Sequence, residues 1–143
     1  MSATIASAGH ASGSKAWSIG LWVVQVLLAV MFGMAGSMKA LTAMPELGEK
    51  IMWAKDVPLW FTRFIGVSEL SAAIGLILPA ATRIRPALTA WAAAGLAFVM
   101  LSAIGFHVMR GETPFVIMPL VLGALAAFVA WGRLRKAPIA PRS

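Results

Sequence analysis

The chain contains no cysteine and no tyrosine, and only 12% of its 143 residues are charged. The absence of cysteine excludes a thiol redox centre, a disulfide, a thiolate zinc site, an iron–sulfur cluster and a covalently attached c-type haem within this chain. Histidine is nearly as scarce, with His10 and His107 alone, so a haem held by two histidines of one chain is not expected. The sequence therefore predicts no covalent cofactor and no metal site.

The scarcity of charge accompanies an excess of apolar residues, which make up 60% of the sequence. A soluble domain carries about 25% charged residues, and half of that would leave much of the surface of a small globule uncovered. Apolar runs of about 20 residues, long enough to cross the ~30 Å hydrocarbon core of a bilayer as helices, recur four times. The composition therefore predicts a single membrane-embedded domain rather than an ordinary soluble enzyme.

The predicted spans are residues 17–39, 58–80, 84–108 and 114–131. The connections after the second and third spans are so short that each joins antiparallel neighbours. The one long connection, residues 40–57, has Pro45 at a position suited to a first helical turn, and one face is formed by Leu47, Ile51 and Ala54. The predicted fold is an all-α, antiparallel four-helix integral membrane bundle, with a short interfacial amphipathic helix between spans one and two.

Two tails flank this four-span domain, residues 17–133. Residues 1–16 are rich in serine, alanine and glycine, which predicts a disordered N-terminal tail, and residues 134–143 form a C-terminal tail. A signal peptide is the alternative interpretation of the first span. Its apolar region normally measures about 7–15 residues, however, and this one is longer and follows a long tail.

The basic residues are distributed unequally between the two ends of the predicted bundle. The side that holds both termini has seven Lys and Arg residues and no acidic residue. The other side has five Lys and Arg residues and four acidic residues. By the positive-inside rule, both termini are expected in the cytoplasm, in a bacterial-type cytoplasmic (inner) membrane. Because these cations flank spans, they indicate topology and contact with membrane lipid, and no nucleic-acid partner is expected.

Glu69 has the most unusual predicted position, because it falls near the middle of span two. A charged acid at the bilayer centre costs about 2.5–3.5 kcal/mol on insertion scales. Its neighbours one turn away are mostly small residues, so its side chain is expected to point into the bundle. Two interpretations remain open: a functional carboxyl, or a structural acid that is neutral or paired with Lys39 or Arg63.

Depth along the helices groups the other polar candidates around Glu69. Gln25 is placed near the level of Glu69, and the other four candidates are placed near the outer mouth of the bundle. At that depth a histidine is also explained by snorkelling to water, and an arginine by its effect on membrane topology. The candidate ligand-binding or proton-relay residues are Glu69, Lys39, Gln25, His107, Arg63 and Arg110. No residue is assigned a catalytic role. Small residues predict close helix packing at Gly33, Gly36, Gly66 and Ala73.

Two segments resemble a known family. Residues Phe32–Leu41 resemble the Gly-x-x-Lys-Leu-like signature of the DoxX and DoxX-like membrane proteins. Residues Arg63–Leu70, with the Ala and Gly that follow and the ending Leu76–Pro79, resemble the second-span block of that family, and His107 late in span three fits as well. The resemblance covers about residues 17–133.

The resemblance implies a four-helix membrane bundle and directs attention to Lys39, Glu69 and His107. The family is named for a small subunit of a quinone-linked sulfur oxidoreductase, and other members are associated with redox or oxidative-stress complexes. Because this chain has no cysteine, any sulfur-transfer chemistry would have to occur on a partner protein, and independent enzyme activity is not expected.

Three functions remain open at this point. The first is a subunit that binds a quinone-like ligand for a redox protein partner, with Lys39 and His107 bonding a carbonyl oxygen and Glu69 relaying a proton. The second is a non-catalytic assembly or anchoring subunit in which Glu69 is structural. The third, ranked last, is a small-solute transporter, for which a homo-oligomer is expected because four spans are few for a transport path.

Overall fold

The protein is all-helical throughout the part of the chain that the structure describes. This computed structural model describes the backbone of residues 2–143 and the side chains of residues 14–143. The α-helices of these residues are α1 (Ser2–Leu41), α2 (Met44–Lys50), α3 (Leu59–Thr82), α4 (Ala87–Met109) and α5 (Ile117–Arg135). Two short 3₁₀ helices cover Met52–Asp56 and Thr113–Val116.

Four stretches of helix are long and apolar enough to cross a membrane. They are Ser14–Leu41, Leu59–Thr82, Ala87–Met109 and Thr113–Arg135. The predicted all-α four-helix membrane bundle is therefore confirmed. The predicted disordered tail, residues 1–16, falls largely on residues whose side chains lie outside the described part, and it stays a prediction.

Helices α1, α3, α4 and α5 form a closed ring in which each packs against the next and α5 returns to α1. The end of α1 meets the start of α3 at Gly36 and Gly66, and the first half of the span Ser14–Leu41 meets the end of α5 at Leu21 and Gly132. Sequential helices are therefore antiparallel. The side chains at the centre are mostly aliphatic, including Leu21, Leu28, Leu76, Leu96 and Val129.

The outward faces of the same helices carry large apolar side chains. Trp91 and Leu101 on α4 are 69% and 65% exposed, and Val67 on α3 is 55% exposed. Such faces are costly in water and suited to lipid, whose hydrocarbon is as apolar as these side chains. The bundle therefore has the surface expected of a membrane domain.

The two ends of the bundle differ in structure. We call the end that holds the C-terminus, with the turn at residues 83–86, the terminal end, and the opposite one, with residues 39–63 and 107–116, the loop end. At the loop end the segment 44–56, here called the lid, contains α2 and the first 3₁₀ helix. In the lid Leu47 is fully buried while Glu49 is exposed, so an amphipathic helix is present in this connection. It ends at Lys50, and the backbone of Ile51 is extended, so the predicted face of Leu47, Ile51 and Ala54 is divided between α2 and the 3₁₀ helix.

Candidate ligand-binding site

The site begins with a close crossing of α1 and α3. A Cβ atom on Gly36 would lie 2.7 Å from the carbonyl oxygen of Gly66, and a Cβ on Gly66 would lie 2.6 Å from the amide nitrogen of Ala40. Any side chain there would push the two backbones apart. Glycine at both positions lets the helices approach closely, and the next residues along the same faces, Lys39 and Glu69, are brought together.

Lys39 and Glu69 form an ion pair in the interior of the bundle. The Nζ atom of Lys39 donates to Oε1 of Glu69 at 2.8 Å and to Oε2 at 2.6 Å. The Glu69 side chain is 3% exposed and that of Lys39 is 12% exposed. Of the two ion-pair partners that the sequence left open for Glu69, Lys39 is the one in contact.

Arg63 hydrogen-bonds to the backbone at the end of α1. Its two terminal nitrogens donate to the carbonyl oxygens of Lys39 and Thr42, at 2.7 Å each. The last carbonyls of a helix have no partner within the helix, so this guanidinium satisfies backbone groups beside the ion pair. Arg63 therefore fixes the position of the Lys39 backbone rather than the charge of Glu69.

A cavity of about 520 Å³ lies beside the ion pair, between the four long helices and the lid. Ligand pockets typically measure about 300–1,000 Å³. Its charged or titratable lining residues are Lys39, Glu69 and His107, and Ser102 also reaches it. Most of the wall is apolar, with the aromatic side chains Phe32, Trp53, Phe61, Phe64, Phe98 and Phe106.

His107 borders the cavity and belongs to a hydrogen-bonded chain at the loop end. Its Nδ1 lies 2.7 Å from Oε2 of Glu112, whose Oε1 accepts from Nε of Arg110 at 2.8 Å. The hydrogen bonds from His107 and Arg110 hold the pKa of Glu112 below its usual value. Because an ionised carboxylate only accepts hydrogen bonds, Nδ1 of His107 is the donor in this contact.

The same chain of polar groups reaches the lid. Nη2 of Arg110 donates to Oδ2 of Asp56 at 2.6 Å. The hydrogen bonds to Glu112 and Asp56 raise the pKa of Arg110 above its usual value. Beside them the ring of Trp53 meets that of Phe106 edge to face, with the centroids 5.8 Å apart. Arg110 therefore fastens the lid over the cavity and does not itself line it.

The sequence comparison with known families agrees with this arrangement. The model of the DoxX-like family matches residues 23–129, well over half of the chain. The chain belongs to the DoxX-like family. The match includes Lys39, Glu69 and His107, so the resemblance noted from the sequence is confirmed. No curated protein and no solved structure gives a significant match to the chain.

Gln25 lies elsewhere in this DoxX-like protein, and its predicted place beside Glu69 is corrected. Its Nε2 donates to the carbonyl oxygen of Leu76 at 2.7 Å, and its Oε1 accepts from Nε of Arg133. The crossing at Gly36 and Gly66 sets the register of α1 on α3. In that register Gln25 lies opposite Leu76, which is seven positions, or about 10 Å, beyond Glu69 along α3.

The DoxX-like bundle thus divides the six predicted candidates into three groups. Lys39, Glu69 and His107 line one cavity, Arg63 and Arg110 support the loop end around it, and Gln25 joins the polar contacts nearer the terminal end. The predicted packing residues lie on the α1–α3 contact: Gly33, Gly36, Gly66 and Ala73. Among the side chains of residues 14–143, no three His, Asp or Glu side chains are grouped to hold a metal ion.

The sequence analysis did not place one charged residue, Arg133, in the interior. Arg133 was counted with the cations of the C-terminal flank, but only 5% of it is exposed. A signal was present in the spacing, because Arg133 follows the core residues Ala126 and Val129 by seven and four positions and so continues their helical face. Glu112 and Asp56, the acidic partners of His107 and Arg110, were likewise counted only as charges of the loop end.

Proposed function

We propose that this protein binds a lipid-soluble, quinone-like molecule in the cavity and acts as an accessory subunit of a membrane redox complex. The observation that supports this most strongly is the cavity itself, which combines an aromatic and aliphatic wall with the polar groups of Lys39, Glu69 and His107. A flat ring bearing oxygen atoms and an apolar tail matches such a wall. The proposal also fits the lack of cysteine in the chain, which leaves it without a thiol redox centre of its own.

The polar groups of the cavity have hydrogen-bonding capacity left for such a ligand. A lysine ammonium has three N–H donors, and Lys39 directs two hydrogen bonds to Glu69, which leaves one for a ring oxygen. His107 contacts Glu112 through Nδ1, so Nε2 remains for a hydrogen bond with a ligand. A bound quinone would supply the electron-accepting chemistry, while the lid and aromatic wall exclude water.

The placement of the chain in its membrane is a second part of the proposal. We place both termini in the cytoplasm of a bacterial-type cell and the lid on the outer side of the inner membrane. The support is the charge distribution, with seven cations and no acid toward the terminal end and mixed charges at the loop end. In this orientation the cavity lies toward the outer side.

The test is mass spectrometry of the protein purified from its native membrane in mild detergent, reading small molecules and co-purifying proteins together. Ala103 lines the cavity and takes no part in the hydrogen bonds of the ion pair, so Ala103→Phe should fill the cavity while Lys39 and Glu69 are retained. Gly105→Phe is the matched control, because a Cβ at Gly105 meets nothing within 4 Å. We expect quinone with the wild type and with Gly105→Phe, and its loss from Ala103→Phe.

Two results would contradict the quinone proposal. One is a wild-type protein without any bound quinone, and the other is equal quinone in Ala103→Phe and the wild type. A stoichiometric protein partner without a small molecule would favour the alternative, a non-catalytic assembly or anchoring subunit. The Lys39–Glu69 contact supports that alternative, because it joins α1 to α3 and satisfies both charges without a ligand.

A further inference from the structure

A buried arginine near the end of α5 lacks a counter-charge. Arg133 donates from Nε to Oε1 of Gln25 and from Nη1 to the carbonyl oxygen of Ala137 at 3.2 Å. Its guanidinium carbon lies 5.5 Å from the centre of the Trp22 ring. All of these partners are neutral, and Nη2 has no hydrogen-bond partner within the described protein. Because arginine stays protonated in proteins, a positive charge is held here among neutral groups.

No acidic side chain lies at this end of the bundle. The five acidic residues of the chain are Glu46, Glu49, Asp56, Glu69 and Glu112. Four of them make salt-bridge contacts, with Lys39, Lys50, His107 and Arg110, and Glu49 lies in the lid at the loop end. No salt bridge among the described residues includes Arg133. A buried charge without a partner is strongly destabilising, so an anion from outside the chain would stabilise this region.

A groove of about 480 Å³ borders Arg133 at the terminal end. It lies between the start of α4, the end of α5 and the C-terminal residues 138–141. Arg85 and Arg133 line it together with the apolar side chains of Leu88, Trp91, Leu134 and Ile139. The C-terminal wall is fastened by two hydrogen bonds: Nε of Arg83 donates to the carbonyl oxygen of Ala140, and the amide of Arg142 donates to the carbonyl oxygen of Arg83.

The turn that carries Arg85 is held in a conformation that favours glycine. Arg83 and Arg85 have φ angles of 60° and 47°, in the left-handed region that residues with a Cβ adopt infrequently. This turn presents Arg85 at the groove and leads directly into α4, whose first turn carries the positive end of the helix dipole. The two arginines and the helix start favour a negative group in the groove.

We propose that this groove binds an anionic phospholipid. Arg133 and Arg85 contact the phosphate, since the planar guanidinium fork matches phosphate oxygens, and Leu88, Trp91 and Leu134 contact the glycerol and acyl chains. The apolar wall is what assigns the groove to a lipid rather than to free phosphate, which would gain nothing from it. This site is separate from the cavity at Lys39 and Glu69, and it does not depend on the function proposed for that cavity.

The test measures the thermal unfolding midpoint of the delipidated full-length protein in detergent. Phosphatidylglycerol, phosphatidylcholine and inorganic phosphate are titrated in separate experiments. We expect phosphatidylglycerol to raise the midpoint temperature of the wild type at concentrations at which phosphatidylcholine and inorganic phosphate leave it unchanged. An equal rise with phosphatidylcholine would overturn the proposal, and so would an equal rise with inorganic phosphate, which would assign the site to a free anion.

Two variants and a matched control locate the effect. Arg133→Gln should abolish the rise. Arg85 is exposed, so Arg85→Gln should leave the fold intact. This variant should require about ten-fold more phosphatidylglycerol for the same rise, as expected for the loss of one charged hydrogen bond. Arg135→Gln removes the same charge from an exposed position outside the groove and should retain the wild-type response. An unchanged response in Arg85→Gln, or an equal loss in Arg135→Gln, would overturn the proposal even if Arg133→Gln fails to fold.

Discussion

At the scale of single residues, Lys39 and Glu69 hold opposite charges in a place where neither is stable alone. We predict that Lys39→Met destabilises the protein by about 3–5 kcal/mol, because it leaves the Glu69 carboxylate buried without a partner. The double variant Lys39→Met with Glu69→Leu removes both charges and should recover most of that loss. Thermal or denaturant unfolding in detergent provides the measurement, and a double variant as unstable as the single one would show that the charges are not coupled.

The sequence could indicate this pair only in part. Helical spacing supports Lys39 over Arg63, because six residues separate Arg63 from Glu69 on α3 and direct the two side chains to different faces. Gln25 was placed wrongly because depth in the membrane says nothing about the register between two helices. Arg133 was overlooked for a similar reason, since a cation near the end of a span is usually exposed, and here it lies on the buried face.

At the scale of helices, the crossing of α1 and α3 determines whether the residues of the cavity meet. We predict that Gly66→Ala destabilises the bundle by about 1–3 kcal/mol, because its Cβ would stand 2.6 Å from a backbone nitrogen of α1. The matched control is Gly95→Ala, where nothing lies within 4 Å and alanine should be neutral or add up to about 1 kcal/mol. Unfolding curves of the two variants provide the test, and equal midpoints would exclude a tight crossing.

The helices themselves were the most predictable part of the molecule. Apolar runs of sufficient length predicted all four spans, and proline and spacing predicted a short helix in the long connection, because these features depend on local sequence. The end of that helix at Lys50 was not predicted. The pairing of the lid with α4 through Asp56 and Arg110 was not predictable in this way. It joins residues far apart in the chain, and only the packed bundle brings them together.

At the scale of the whole molecule, charge and polarity divide the protein into two ends with different ligand chemistry. At the loop end Lys39, Lys50 and Arg110 form ion pairs with acids, and the cavity there has an aromatic wall. The terminal end has basic side chains, no acidic side chain, and a groove for which we propose a negative headgroup. The same asymmetry that predicts the orientation thus also separates the two proposed ligands, one neutral and ring-shaped, the other anionic.

The orientation of the whole molecule is directly testable, because the chain has no cysteine of its own. Ser143→Cys and Thr113→Cys each introduce one exposed thiol, at the terminal end and the loop end respectively. In intact spheroplasts a membrane-impermeant maleimide should label Thr113→Cys and leave Ser143→Cys unlabelled until the membrane is permeabilised, since the cation-rich end is retained in the cytoplasm. The cysteine-free parent controls for background, and the reverse pattern, or partial labelling of both variants, would show that the charge asymmetry does not fix the topology.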